Sequence, residues 1–533
     1  MISFLTKTSH SITSAAILLA LTSGLSRMVG LVRDRVLTHL FGAGHTLDVY
    51  YAAFRIPDFI YNLLIVGALA AGFIPVFTAL YEKDKERAWE VTRSIITILG
   101  LSILGICGIL WFLAPFIMPY LVPGFSLEKM NQTTILTRVL LLSPIILGLS
   151  GIAGSVLQSV KAFFFYSLSP ILYNIGIILG AIFFVPMLGI AGLAWGVILG
   201  ASLHLLIQLP LLFQLGFRYR PRLKLNDRPV RQILLAMIPR TLGLATTQIN
   251  LVVVTILAST LPIGSITVFN LANNLQSFPI GLVGISFAIA AFPTLSSLAA
   301  NKKPDELIET IGRTARQILF FITPFMVIFL LLRAQIVRVA LGSGEFDWTA
   351  TITTANTLAF FSISLLAQCL IPLLVRTFYA LHNTWTPFFV GLIAEGVNLV
   401  ASILLRERLH ILGLALAFSL AMMVQLILLW LLLRRSLGSL QELKFLHLFY
   451  KISLASLIMG VAIQSLKEPI AALVNMNKFW GIATQGGVAG TLGLVAYILI
   501  AYFLKTEELL ELKASLKKRW LNFRTVKPEI TEV

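Results

Sequence analysis

The chain has 533 residues, 58% of them hydrophobic and only 12% charged, with a mean hydropathy of +0.91. Soluble domains carry about 25% charged residues, so that class is excluded, and apolar runs of about 20 residues recurring from end to end mark an integral, multi-pass membrane protein. The formal net charge of +18 is what Lys- and Arg-rich loops on one side of a membrane produce, and nucleic-acid binding is set aside.

Backbone groups in lipid must be paired within the protein, which leaves helices or a closed barrel. Residues 94–118 read SIITILGLSILGICGILWFLAPFIM, continuously apolar and not alternating, which selects helices and an all-α fold. The pattern predicts about fourteen transmembrane helices, at 11–41, 46–81, 89–119, 132–160, 165–186, 190–215, 230–260, 266–298, 307–335, 352–381, 385–405, 410–434, 446–467 and 478–504. Lys7 precedes an apolar run that continues into an Arg-bearing stretch, so no cleavable signal peptide is read. Cys107 and Cys369 both lie in apolar runs, and no disulfide framework is implied.

The connections alternate in charge. Lys83, Lys85, Arg87 and Arg93 follow the second helix, Lys161 the fourth, Arg218, Arg220, Arg222, Lys224, Arg228 and Arg231 the sixth, Lys302, Lys303, Arg313 and Arg316 the eighth, and Arg434, Arg435 and Lys444 the twelfth. The connections after the first, fifth and seventh helices carry neither Lys nor Arg. The positive-inside rule then puts both termini in the cytoplasm, in agreement with an even helix count. A weak echo relates Arg27–Leu31 to Arg240–Leu244, and Gly72–Phe77 to Ala291–Leu295, at nearly equal separations. It predicts two parallel six-helix lobes, 1–222 and 223–440, related by a pseudo-twofold axis along the membrane normal, with substrate between them. Two further helices occupy 441–504. The tail 505–533, with Leu509, Leu512, Leu516, Trp520 and Phe523 spaced among Lys and Arg, reads as a basic amphipathic helix on the cytoplasmic surface.

The stretch Ser26–Pro75 is the chemically unusual one, because it carries Arg27, Arg33, Asp34, Arg35, Asp48, Arg55 and Asp58 in otherwise lipid-compatible sequence. Each charge left in hydrocarbon costs about 2.5–3.5 kcal/mol, so a cavity, a partner or a ligand must offset it. Arg27 and Asp34 are seven apart and share a helix face, with Arg33 pointing elsewhere. Asp48, Arg55 and Asn62 form a second stripe, and Asp58 is spaced to pair with Arg55. One reading is a cationic cavity for an anionic headgroup, phosphate above all, since guanidinium forks match phosphate oxygens. The other is buried Arg–Asp pairs that fix helix packing.

In the eighth predicted helix Asn270, Asn273, Asn274, Gln276 and Ser277 precede Pro279, which is expected to break or bend it. These amides are read as cavity-lining. His204 and Gln208, and the recurrent small residues Gly148, Gly151, Gly176, Gly180, Gly189, Gly192, Gly196 and Gly200, are read as packing. Glu395 is an isolated intramembrane carboxylate, open between ion coupling and pairing with an unidentified cation. No Walker A, HExxH or GxSxG sequence occurs, so no enzyme activity is read. No cofactor is implied, and a coupling ion is left open.

Several segments together resemble the MurJ/MviN family, the lipid II flippases of the multidrug/oligosaccharidyl-lipid/polysaccharide exporter superfamily. They are Ser26–Gly30 with Arg33 and Asp34, Phe41–Gly44, Asp48 before Tyr50 and Tyr51, Phe54–Pro57, Gly67 and Ala68 with Phe73–Pro75, Pro123–Phe125, Pro170 with Asn174, Gly344–Phe346, and Arg376–Leu381. The resemblance runs from about Ser14 to Leu440. It implies fourteen helices, a cationic cavity between two lobes, and a lipid groove bounded by the last two helices. The implied cargo is an undecaprenyl-pyrophosphate-linked peptidoglycan precursor, carried from the inner to the outer leaflet of the bacterial inner membrane. The implied drive is the membrane potential or a coupled ion. Arg27, Arg33, Asp34 and Asp48 match family positions; Arg55, Asn273 and Asn274 complete the expected substrate-binding set. The chain departs from the family at Tyr61 and Asn274, where arginines are common, and at Val66, Asn273 and Ser277, which stand at or near its polar and acidic positions. Rival readings are an exporter of another polyprenyl-linked glycan and a non-transporting scaffold that recruits cell-wall enzymes.

Overall fold

A computed structural model describes residues 12–66, 72–511 and 513. Among these the regular structure is entirely helical, and the helical segments follow the predicted ranges in order. Ten are long and apolar enough to cross a membrane, and up to eleven if the bent pair Trp348–Ile363 and Leu365–Ala380, at 45° to each other, is one span. The protein is therefore an all-α, multi-pass membrane protein. The described chain falls into two compact units: residues 1–271 with 340–351 and 402–414, and residues 272–339 with 352–401 and 415–533.

The first unit opens with α1 (Ile12–Phe41), α2 (His45–Ala53) and α3 (Arg55–Tyr61). The stretch predicted as one helix over 46–81 is thus interrupted. Phe54 is a turn between α2 and α3, a π-helical turn covers Asn62–Val66, and Gly72 and Phe73 are again π-helical ahead of α4 (Ile74–Lys83). Val66 is described only in its backbone, and the motif residues Gly67 and Ala68 lie outside the described residues. Next come α5 (Lys85–Leu121), α6 (Leu127–Leu140) and α7 (Leu142–Ser159). Asp84 caps α5 by accepting from the Arg87 amide at 3.0 Å, and Ser126 caps α6 by accepting from the Lys129 amide at 3.3 Å, which satisfies amides that have no partner within the helix.

The pair α8 (Phe163–Leu179) and, after α9 (Val185–Leu188), α10 (Ala191–Leu206) shows what the small residues do. A Cβ on Gly176 would stand 2.3 Å from the Gly200 backbone, and one on Gly180 2.2 Å from that of Gly196. The two helices meet backbone to backbone, the close approach that small residues permit in membranes. The unit continues through α11 (Leu209–Gln214), α12 (Arg228–Ser259) and the first half of α13 (Ser265–Pro279). Gly264 (φ +92°) and Gly344 (φ +55°) adopt left-handed backbone against Ala43 and His39, where a Cβ would come to 2.2 Å from a carbonyl oxygen. Glycine is required there on both counts.

The second unit holds the rest of α13, α14 (Ser286–Ala300), α15 (Pro304–Leu331), α16 (Arg333–Ala340), α17 (Trp348–Ile363), α18 (Leu365–Ala380), α19 (Trp385–Leu409), α20 (Ile411–Leu437), α21 (Glu442–Leu473) and α22 (Phe479–Phe503), except that residue 340, residues 348–351, 402–409 and 411–414 are counted with the first unit. The α-helical pattern of α13 ends at Pro279, but the chain does not leave the helix there. A π-helical turn over Ile280–Ile285 absorbs the missing amide, and the segment Ser265–Ala300 stays one span. The two last helices pack on each other and on α15. Tyr497 donates to the Phe320 carbonyl at 2.9 Å, and Gln335 to Gln485 at 3.0 Å. Of the expected amphipathic tail only residues up to 511 and residue 513 are described. There, buried Arg316 pairs with buried Glu508 at 3.3 Å and Arg313 with Glu511 at 2.9 Å; Leu512 and residues 514–533 lie outside the described residues.

The glycine contacts give a direct test. Gly180→Val should cost about 1–3 kcal/mol or more of stability, because backbone on both sides blocks relief. Gly100→Val, with nothing within 4 Å of its Cβ, should leave the thermal midpoint of the detergent-solubilised protein unchanged. Equal midpoints for the two variants would refute the packing role.

Candidate functional site

Arg33, Asp48 and Arg55 of the first unit each form the middle of a polar centre. The first is built on α1. Arg33 donates through Nε and Nη2 to Asp34 Oδ1 at 3.0 and 2.7 Å, and through Nη1 to Asn174 Oδ1 of α8 at 2.9 Å. This corrects the expectation that Arg33 faces away from Asp34: the Arg33 side chain curls back onto its neighbour, because a carboxylate 2% exposed must find its cation nearby. Asn174 in turn donates to the Pro170 carbonyl at 2.9 Å, which fixes its amide with the oxygen toward Arg33. The Arg33 side chain keeps 22% of its surface open. Arg27 stands on an exposed face of the same helix.

The second centre is Asp48 on α2, 2% exposed. Its Oδ2 accepts from Lys129 Nζ of α6 at 3.1 Å and from the Gly264 amide at 2.7 Å; its Oδ1 accepts from the Thr267 amide at 3.0 Å and the Thr267 hydroxyl at 2.8 Å. Four donors fill the four acceptor positions of one carboxylate. Asp48 thereby caps the first turn of α13 from another helix, with a negative charge where a helix N-terminus favours one. Lys129 is 5% exposed and lies 4.0 Å from the centre of the Phe125 ring, a cation–π contact. In this conformation Asp48 has no acceptor left for a ligand.

The third centre is Arg55, 7% exposed on α3. Its Nε donates to Thr255 Oγ1 of α12 at 2.8 Å and its Nη2 to Asn270 Oδ1 of α13. The expected pair with Asp58 does not form within 4 Å; Arg55 turns to neutral oxygens on other helices. Asn62, the third residue of the expected stripe Asp48–Arg55–Asn62, donates to the Asp58 carbonyl at 2.9 Å.

Asn273 and Asn274 belong to the second unit. Asn273 accepts from Gln276 at 3.0 Å, Gln276 from Gln368 of α18 at 2.9 Å, and Gln368 also donates to Ser364, which shares a hydrogen bond with Ser419 of α20. The helix amides thus extend into a neutral network across three helices, while Asn274 stays half-buried. In the first unit His204 and Gln208 bond Ser150 of α7 at 2.7 Å each, an interhelical contact within the packed bundle. The side chain of Arg240 lies outside the described residues.

Sequence reasoning missed Lys129, Asn174, Thr255 and Thr267 as partners. Lys129 carried a usable signal: it is a cation on the side whose other connections are poor in Lys and Arg, and such an exception calls for a partner. Thr255 and Thr267 carried none, since a hydroxyl in an apolar helix ordinarily bonds its own backbone.

A family model described as lipid II flippase MurJ matches residues 37–484. A probable lipid II flippase MurJ of Haemophilus influenzae is 31% identical over 404 residues, 71% of this chain and 78% of that protein. One of Vibrio cholerae is 30% identical over 429 residues, 77% and 81% of the two. A solved structure of lipid II flippase MurJ in an inward closed conformation superposes with a TM-score of 0.76 at 25% identity, covering 92% of this chain and 99% of that one. An inward-facing multidrug resistance MATE family transporter shares the fold at a TM-score of 0.65 and 16% identity over 80% of this chain.

The Arg33 centre predicts non-additive energetics. Arg33→Ala removes two charge-assisted hydrogen bonds from the buried Asp34 carboxylate and should destabilise by about 3–5 kcal/mol, whereas the double variant with Asp34→Asn should recover much of that loss. Thermal unfolding of the solubilised variants measures it; additive losses would mean that the pair is energetically idle.

Proposed function

The chain belongs to the lipid II flippase MurJ family, and we propose from that membership that it carries the lipid-linked peptidoglycan precursor from the inner to the outer leaflet of the bacterial inner membrane by alternating access. The observation that carries the reading is the family match over residues 37–484 to a chain that keeps Arg27 and Arg33 in its first helix. Arg33, held by Asp34 and Asn174 yet partly open, supplies a positioned guanidinium edge for a pyrophosphate. Arg27, on an exposed face, supplies the second cation. Asn273 and Asn274 supply neutral donors and acceptors for sugar or peptide, and the polyprenyl tail remains in lipid along the last two helices.

The basic connections put the ends of α4, α7 and α11 in the cytoplasm, and with them both termini. The opposite, outer end is then the one stitched together by Asp48, Lys129, Gly264 and Thr267. Opening that end requires Asp48 to release the amides of α13, so Asp48 acts as a latch whose donors exchange for water when the site turns outward. Arg55, bonded to Thr255 and Asn270, belongs to the same closed arrangement. Transport needs no bond-breaking chemistry by the protein; the membrane potential or a coupled ion provides the drive.

The departures at Tyr61 and Asn274 favour a second reading, an exporter of a related polyprenyl-linked glycan with fewer charges to clamp. The experiment that separates the two is rescue of growth and lipid II translocation in a bacterium depleted of its own flippase. The expected result is rescue by the wild type and its loss in Arg27→Ala, with the variant present in the membrane at wild-type level. Translocation that persists when Arg27→Ala and Arg33→Ala are combined would remove the arginine clamp. Failure of the well-expressed wild type would shift the cargo to another lipid-linked glycan.

A further inference from the structure

Residues 216–231, the connection between α11 and α12 together with the first turn of α12, combine two features that rarely meet in a segment facing water. Arg218, Arg220, Lys224, Arg228 and Arg231 are exposed, and among the described residues none of their side chains has an ion-pair partner. Between them Tyr219, Leu223 and Leu225 are 50%, 59% and 53% exposed.

The segment is not loosely hung. The Arg218 carbonyl accepts from Arg93 at 2.9 Å, the Tyr219 hydroxyl lies 3.3 Å from Thr97 Oγ1, and the Arg222 amide donates to that same oxygen at 3.3 Å. Further along, the Arg222 side chain pairs with Glu90, and Asp227 pairs with Arg87 at 2.5 Å. The linker therefore runs down the first turns of α5 from Thr97 to Arg87, about 15 Å at 1.5 Å per residue. That path covers the transition where α5 changes from KERAWEVTR to the apolar run beginning at Ser94–Ile96. The acids nearby, Glu86, Glu90 and Asp227, are bonded to Arg93, Arg87 and Arg222; Lys224 feels the Glu90 charge without pairing to it, and among the described residues the outward cations outnumber the acids that face them.

We propose that this linker is a membrane-surface clamp that binds anionic phospholipid headgroups, with Arg218, Arg220, Lys224, Arg228 and Arg231 on the phosphates and Tyr219, Leu223 and Leu225 in the boundary layer. Interfacial segments join buried apolar side chains to cations in this way, and each Lys or Arg near an anionic leaflet contributes about 1 kcal/mol. A soluble partner protein fits less well, because the surface lies at the level where α5 enters the apolar layer. The proposal is independent of the cargo.

The test uses the full-length protein with Asn226→Cys carrying a spin label; native Cys107 and Cys369 are buried. It is reconstituted in phosphatidylcholine vesicles with and without phosphatidylglycerol, and collision with a water-soluble nickel complex is measured. The expected result is a several-fold drop in collision with phosphatidylglycerol present, reversed by high salt. The drop should disappear when the five cations are changed to Gln and return when the four arginines are changed to Lys. The thermal midpoint of each variant serves as the folding control, and the Lys variant preserves the test if the Gln variant fails to fold. Equal accessibility in both lipids, or a drop that survives the Gln changes, overturns the proposal. Shielding that requires added cytosolic protein and is the same in both lipids assigns the surface to a protein partner and also overturns it.

Discussion

A carboxylate taken out of water has to recover its hydrogen bonds from the protein, and the Asp48 node is the fullest instance here. Two backbone amides, a hydroxyl and an ammonium supply what water would. The arrangement fixes α2, α6 and the start of α13 at once, since each donor is useful only in place. It also explains Gly264, whose left-handed backbone aims its amide at the carboxylate while its missing Cβ lets Ala43 approach. Asp34 and Arg55 obey the same constraint. A membrane protein keeps such groups only where every neighbour is committed to them, so the same residues that stabilise one conformation must be released to reach another.

Around these polar centres the helices are built to pack closely and to bend without breaking. The glycine pairs of α8 and α10 bring two backbones together without a driving force from water. The π-helical turns at Asn62–Val66, Gly180–Phe184 and Ile280–Ile285 sit beside Arg55–Tyr61, Pro186 and Pro279. A widened turn accommodates a residue that has no amide to give, at less cost than a break. It also leaves loosely paired carbonyls, which makes these places the natural points for a helix to flex.

The basic ends are organised on a different principle, because there water competes. Arg87, Arg93 and Arg222 pin the linker to α5, and Arg313 and Arg316 hold the segment after α22 to α15. Apart from the buried Arg316–Glu508 pair these contacts keep at least one partner open to water and are worth little singly, but several along one helix position a chain that has no regular structure of its own. The cations not used in pinning are those that remain for the lipid surface.

The helices and the membrane-spanning character were legible because hydrophobicity is a local property, readable in any run of about 20 residues. The motif residues Arg27, Arg33, Asp34 and Asp48 were legible because charge in an apolar run is costly wherever it points. Partners were another matter. Periodicity set Arg33 against Asp34 and Arg55 beside Asp58, since it treats side chains as fixed spokes. Folding brought Asn174 to one and Thr255 and Asn270 to the other, 141, 200 and 215 residues away in the chain. The sequence by itself determined which residues had to be neutralised; the tertiary structure alone decided by which groups, because a long flexible guanidinium takes the nearest oxygen in space and that oxygen is supplied by another helix.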